Sequence, residues 1–249
     1  MSGHSKWSTI KHKKAALDAK RGKIFTRVIK ELTIAARIGG GDPAGNPRLR
    51  SAVVDAKAAN MPADNIKRAI QKGTGELPGV SYEEVSYEGY GPGGVAVLLE
   101  VLTDNKMRTT PEIRHIFTKH GGDLGQPNSV AWMFEKKGQI VVSASATDED
   151  RLMEIALDAG ADDLVHEGDH FEITSGPSVF TTVREALEKA GVRTDEAAVV
   201  MAPQNVVHVD GKRAQQCMKL LEALEEHEDV QHVYANLEFD EADLEAEAS

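Results

Sequence analysis

Apolar residues recur at helical spacing through the first 75 positions and give way to short β-like runs after position 80. The clearest helix is Lys20 to Ile38, where Ile24, Phe25, Val28, Ile29, Leu32, Ala35 and Ala36 share one side at 3.6 residues per turn. A helix is also expected around Thr9 to Ala19. Gly39-Gly40-Gly41-Asp42-Pro43 stops the main helix, and Asn46-Pro47 opens the next with an N-cap residue and a proline at the first helical position. That helix repeats Leu49, Ala52, Val53 and Ala56. A shorter one follows Asn60, with Pro62 in its first turn and Ile66, Ala69 and Ile70 inward, and Lys72-Gly73-Thr74-Gly75 ends it.

From Val80 the period changes. Glu84 to Tyr87 and Val95 to Leu102 read as strands around a glycine-rich loop, Gly89 to Gly94. Thr110-Pro111 is expected to cap a helix carrying Ile113, Ile116 and Phe117, and Ser129 to Phe134 reads as a strand with Trp132 and Phe134 on one side. Residues 138–203 follow the order β-α-β-β-α-β, the ferredoxin-like arrangement. Its strands are Gln139 to Ser143, about Asp163 to His166, Phe171 to Thr174 and Ala198 to Met201. Its first helix has Thr147 and Asp150 as a capping box, and its second starts at Pro177. Val206 to Val209, Ala214 to His227 and Gln231 to Phe239 add a βαβ fragment too small to fold alone. It is expected to complete a layer with residues 80–135.

The pattern therefore predicts a multidomain α+β chain, a helical bundle followed by two α+β domains, one ferredoxin-like and inserted in the other. The expected boundaries are 1–78 (helical), 79–136 plus 204–239 (discontinuous α+β), 137–203 (insert) and 240–249 (acidic tail).

Charge changes this picture. Residues 1–75 hold ten Lys and six Arg against five acids, a net of +11, while the remaining residues carry −22. The whole-chain value of −11 thus hides a basic head on an acidic body. On the main helix Lys20, Lys23, Arg27, Lys30 and Arg37 fall within an arc of roughly 100°, opposite the apolar side. Lys6, Lys11, Lys13, Lys14 and Arg21 lie upstream or at its start, with Trp7 among them, and Arg48 and Arg50 sit at the start of the Pro47 helix. A solvated helix face ordinarily mixes both signs, so this grouping points to a polyanion, a nucleic acid. Trp7 could stack on a base or anchor the local core. Arg108 and Arg114 could extend the patch.

Enzymatic chemistry finds little support. Gly89, Gly91 and Gly94 fit G-x-G-x-x-G, but a strand-like run follows where a dinucleotide site needs a helix N-terminus. His166 and His170 flank a turn among acids, which suits a solvated hairpin better than a metal site. Cys217, the only cysteine, sits at core spacing. The run Glu222, Glu225, Glu226, Glu228 and Asp229 reads as a solvated helix face. No catalytic residue, metal or cofactor is expected. Apolar runs such as Val95 to Leu99 are far too short to span a bilayer, and a single cysteine suits a reducing compartment, so the cytoplasm is expected.

Several stretches together resemble the YebC/PmpR family. They are Gly3-His4-Ser5-Lys6-Trp7, Arg21-Gly22-Lys23, Gly40-Gly41-Asp42-Pro43, Asn46-Pro47-Arg48-Leu49-Arg50 and Asn60-Met61-Pro62. Tyr87 to Val95, Leu102-Thr103-Asp104-Asn105, Arg114-His115 and Ser129-Val130 continue the resemblance, which runs from about Ser2 to Phe239. It departs from the family pattern at Met107 and at Gln126-Pro127-Asn128. The resemblance implies a helical first domain, two α+β domains and a non-enzymatic cytoplasmic regulator that binds DNA. Some relatives are instead translation factors, associated with ribosomal RNA and relieving stalling at proline runs, so the two functions stand as alternatives. In either, the acidic domains could meet a protein partner or a second copy, and no membrane is involved.

Overall fold

The computed structural model describes residues 21–239. The expected helix at 9–19 and the acidic tail fall outside them. The described residues form an α+β structure with seven α-helices. They belong to two compact units, Met1–Met133 with Asn205–Ser249, and Phe134–Gln204.

The first unit begins with α1 (Arg21–Gly39), α2 (Pro47–Ala58) and α3 (Ala63–Thr74). Asn46 caps α2 as the sequence predicts, its side chain accepting from the Leu49 N–H at 3.1 Å and donating to the Ala35 carbonyl at 2.8 Å. One side chain thus satisfies a free helix donor and ties α2 to α1. Leu32, Ala35, Ala36, Leu49, Ala52, Ala56, Met61, Ile66 and Ala69 form the core of this bundle. Gly73 of α3 lies against α1 so closely that a Cβ there would stand 2.3 Å from the Thr33 carbonyl oxygen.

The same unit continues with β1 (Glu83–Tyr90), β2 (Ala96–Thr103), α4 (Lys106–Lys119) and β3 (Asp123–Leu124). A second passage adds β8 (Val207–His208), α7 (Gly211–Glu225), β9 (Val230–Ala235) and β10 (Leu237–Glu238). The sheet order is β3-β1-β2-β9, so strands over a hundred residues apart pair antiparallel, Leu99 opposite Val233. β8 and β10 form a short parallel pair. Phe117, Leu99, Leu220, Val233 and Phe239 fill the core beneath.

Two local expectations are corrected here. Helix α4 starts at Lys106, because Asn105 caps it through the Arg108 N–H, and Pro111 lies inside the helix instead of opening it. Residues 131–133 form a 3₁₀ turn, not a strand, so Trp132 is 66% exposed while Phe134 is buried.

The second unit runs β4 (Phe134–Ser143), α5 (Glu149–Asp158), β5 (Ala161–Glu167), β6 (His170–Ser175), α6 (Phe180–Lys189) and β7 (Glu196–Pro203). Its strands order as β5-β6-β4-β7 with every neighbour antiparallel. Leu152, Ala156, Val183 and Leu187 of the two helices meet Ile140, Val142, Phe171 and Ile173 of the sheet. Asp148, one residue beyond the expected Thr147, caps α5, and α6 opens at Phe180 instead of Pro177.

Replacing a helix-interior glycine by alanine ordinarily stabilises by about 0.5–1 kcal/mol. At Gly73 the sign should reverse, to a loss of about 1–3 kcal/mol from overpacking. Gly45→Ala, with nothing within 4 Å of its Cβ, should be near neutral, and urea unfolding of the two variants measures the contrast.

Candidate nucleic-acid interface

The cationic side of α1 does not face solvent along its length. Lys23 donates to the Glu226 carbonyl at 3.0 Å, Arg27 to the Glu225 carbonyl, and Lys30 to the Glu228 carbonyl at 2.9 Å. These carbonyls lie at and just beyond the C-terminal end of α7, where unpaired C=O groups and the helix dipole concentrate negative potential. The last turn of α7 has no basic residue of its own. Helix α1 supplies the missing cations from nearly two hundred residues away.

Lys30 goes furthest. It is 6% exposed, its ammonium stands 2.5 Å from an Asp229 carboxylate oxygen, and it lies 5.6 Å from the centre of the Tyr82 ring. Asp229 is itself 1% exposed and also accepts from Thr109 at 2.7 Å and Arg108 at 2.8 Å. Burial works against the Asp229 charge, but the hydrogen bonds from Lys30, Thr109 and Arg108 outweigh it and hold the carboxyl well below the usual carboxylate range. Burial also lowers the Arg27 guanidinium, against the pull of Glu225. The expectation of a solvated acidic run at 222–229 is therefore corrected at Asp229, and Lys30 is corrected as a solvent-facing cation.

The other candidates separate into groups. Lys6, Trp7, Lys11, Lys13, Lys14 and Lys20 lie outside the described residues, and the Arg21 side chain is likewise not described. Arg48 bridges Glu31 at 2.5 Å and Glu84 at 2.7 Å, and its hydrogen bond with Glu31 is the main reason its guanidinium is raised. It is held by acids where a cation free to meet phosphate was expected. Arg37 is exposed but donates to Ser81 at 2.5 Å and to the Tyr82 carbonyl. Arg50 is exposed and among the described residues meets the carbonyls of Pro43 and Ala44, at 3.3 and 3.4 Å.

Sequence reasoning passed over Lys57, Lys67, Arg68 and Lys72. All four are exposed and form no ion pair among the described residues. Arg50 and Lys57 lie two turns apart on one stripe of α2, and Arg68 and Lys72 one turn apart on α3. The signal was available, because each falls outside the apolar arc of its own helix. On α1 the warning was Ile34, which lies at the middle of the cationic arc and is 1% exposed. A face with a buried isoleucine at its centre packs against protein.

The glycine loop closes a β1–β2 turn with positive φ at Gly93 and Gly94, and β2 follows it directly. Cys217 is buried, donates to the Pro92 carbonyl at 3.0 Å, and burial pushes its thiol up to about 12. Among the described residues no cluster of His, Cys, Asp and Glu has the arrangement of a metal site. No helix among them is long and apolar enough to cross a membrane.

Comparison with known proteins adds an independent line. Residues 5–76 match the family described as the TACO1/YebC protein N-terminal domain, and residues 82–237 the TACO1/YebC second and third domain. The chain is 61% identical over 245 residues to a probable transcriptional regulatory protein of Koribacter versatilis, covering 98% of each. It is 59% identical over 245 residues to one of Geobacter sulfurreducens, covering 98% of this chain and 99% of that one. A crystal structure of a conserved hypothetical protein from Aquifex aeolicus superposes with a TM-score of 0.86 at 50% identity, covering 95% of this chain and 98% of the other.

Breaking the buried pair should be costly. Asp229→Ala strands the Lys30 ammonium and is expected to lose about 3–5 kcal/mol in urea unfolding, whereas Lys30→Met with Asp229→Leu should restore most of it. Because the folded carboxyl lies below its unfolded value of about 3.9, its contribution is complete above that pH and drains away as pH falls through the depressed folded value. The double variant should accordingly show a flatter loss of stability as pH falls below about 4.

Proposed function

The chain belongs to the TACO1/YebC family, and from that premise we propose that it is a non-enzymatic DNA-binding regulator of transcription acting in the cytoplasm. We propose with it the division inferred from the sequence, a basic helical domain at 1–78 and an α+β domain at 79–136 plus 204–239 that carries a ferredoxin-like insert at 137–203. The observation that carries the functional reading is the set of exposed cations of α2 and α3 that form no ion pair among the described residues. Arg50, Lys57, Lys67, Arg68 and Lys72 project from helices packed on a buried apolar core. They belong to a head of charge +11 whose body carries −22. Such a bundle grips phosphates, and the acidic body repels the same polymer and confines binding to one end. The names of the curated relatives support transcription as the process served.

The undescribed cations, Lys6, Lys11, Lys13, Lys14, Lys20 and Arg21, extend this surface in the proposal, with Trp7 beside them. Lys23, Arg27 and Lys30 act instead as the bolt between head and body. Gripping phosphates positions a protein without reading sequence, so recognition of a particular site falls to groups that reach base edges.

The test separates the two sets. Changing Arg50, Lys67, Arg68 and Lys72 together to Gln should weaken duplex binding by about tenfold or more near 0.15 M salt, and should flatten the log–log salt slope by about 0.9 for each phosphate left unneutralised. Thermal unfolding should be unchanged. Duplex affinity and salt slope equal to the parent protein's would overturn the assignment of this surface.

A further inference from the structure

β7 lies at the edge of its sheet but has the sequence of an interior strand. After Glu196 it reads Ala197-Ala198-Val199-Val200-Met201-Ala202-Pro203, a run without a polar side chain. Side chains alternate between the faces of a sheet, so Ala197, Val199 and Met201 lie on one face and Ala198, Val200 and Ala202 on the other. Strands that are apolar on both faces ordinarily run inside a covered sheet. Among the described residues β7 pairs with β4 alone, and no strand stands opposite its outer row of N–H and C=O groups.

The other edge of the same sheet is built differently. β5 carries Asp162, Asp163 and Glu167, and a register shift between Ala161 and Asp163 interrupts its pairing with β6. Charge and a bulge are the usual means of keeping an exposed edge from pairing with another chain. β5 has both. β7 has Pro203 at its last position, which ends the ladder and leaves Ala197 to Ala202 open.

The run also matches itself. Antiparallel pairing about a two-fold axis at Val199 sets Ala198 opposite Val200 of the copy and Ala197 opposite its Met201. Each of these pairs joins a small side chain to a larger one, which favours close packing. An axis at Val200 would instead set Val199 against Met201 and Ala198 against Ala202, large on large and small on small. With the axis at Val199, Glu196 falls opposite Ala202 and Asp195 opposite Pro203, so no acid directly faces an acid. Val199, at 37% the most exposed residue of the run, is the one the axis covers. Once both β7 strands are used, the remaining edges are two copies of β5, whose acids stop the assembly at two chains.

We propose that β7 is a homodimer interface. It pairs antiparallel with β7 of a second copy about an axis at Val199 and joins two four-stranded sheets into one. This interface goes beyond the proposed function and does not depend on it.

Sedimentation equilibrium of the full chain across micromolar concentrations should show a monomer–dimer equilibrium. Val199→Lys sets two ammonium groups face to face on the axis and should raise the dimer dissociation constant by about tenfold or more. Its circular dichroism should match the parent's, because the Val199 side chain is exposed. Val199→Cys reads the register without weakening the fold. Directly opposed residues have Cβ atoms about 4.5–5.5 Å apart, so mild oxidation should join two chains through the introduced thiols. Leu157→Cys, on α5 of the same unit and 48% exposed, should not cross-link, and the native Cys217 is buried away from the reaction. A parent chain that stays monomeric would overturn the second copy as the occupant of this edge. So would a dimer that Val199→Lys leaves equally tight, or cross-linking of Val199→Cys no faster than that of Leu157→Cys. If Val199→Lys unfolds, the comparison of the two cysteine variants decides.

Discussion

The ion pair between Lys30 and Asp229 is the constraint around which the larger unit is arranged. Both groups are buried, so neither can be left alone in the protein interior without a heavy desolvation cost. A pair of this kind adds little to stability compared with a hydrophobic substitute, but it specifies geometry. Lys30 must arrive from the middle of α1, and Asp229 must sit just after α7 where Thr109 and Arg108 of α4 also reach it. Three helices from three parts of the sequence are thereby set in register. Lys23 and Arg27 continue the contact along the end of α7, supplying positive charge at a helix terminus that lacks its own.

This arrangement assigns the chain's charge to two tasks. The cations of α1 that look most like a binding stripe hold the protein together. The cations of α2 and α3 other than Arg48, fewer per helix and scattered among alanines, are the ones that form no ion pair among the described residues. A charge map drawn from sequence counts both alike. Partnership distinguishes them, and partnership is a property of the folded chain.

Much of the fold was legible because it is written locally. Asn46-Pro47 predicts a helix start through cap chemistry confined to four residues, and the structure has it. The switch from helical to alternating period near Val80, and the β-α-β-β-α-β order after residue 138, rest on burial patterns within single elements. The misreadings are those where a distant or competing partner decides. Asn105 and not Thr110 caps α4, its side chain accepting from the Arg108 N–H, and Thr109 of that first turn is held by Thr103 and by Asp229, 120 positions away. Trp132 left the expected strand because Glu88, more than forty residues earlier, draws the N–H groups of Val130 and Ala131 away from a ladder. Asp229 was read as solvated because Lys30 lies 199 positions away. Only Ile34, apolar in the midst of cations, carried a local hint of that contact.

The bolt between α1 and the end of α7 also bears on how such a chain can change over time. The matches at 5–76 and 82–237 treat the head and the remainder as separate segments, and residues 77–81 between them form neither helix nor strand. The buried pair crosses that stretch. A neutral residue at 229 alone abandons an ammonium in the interior, and one at 30 alone abandons a carboxylate, so neither change is tolerated until its counterpart has occurred. Two codons at opposite ends of the gene are therefore inherited as one unit, and a head transplanted from a relative would be accepted only by a body that keeps the matching charge.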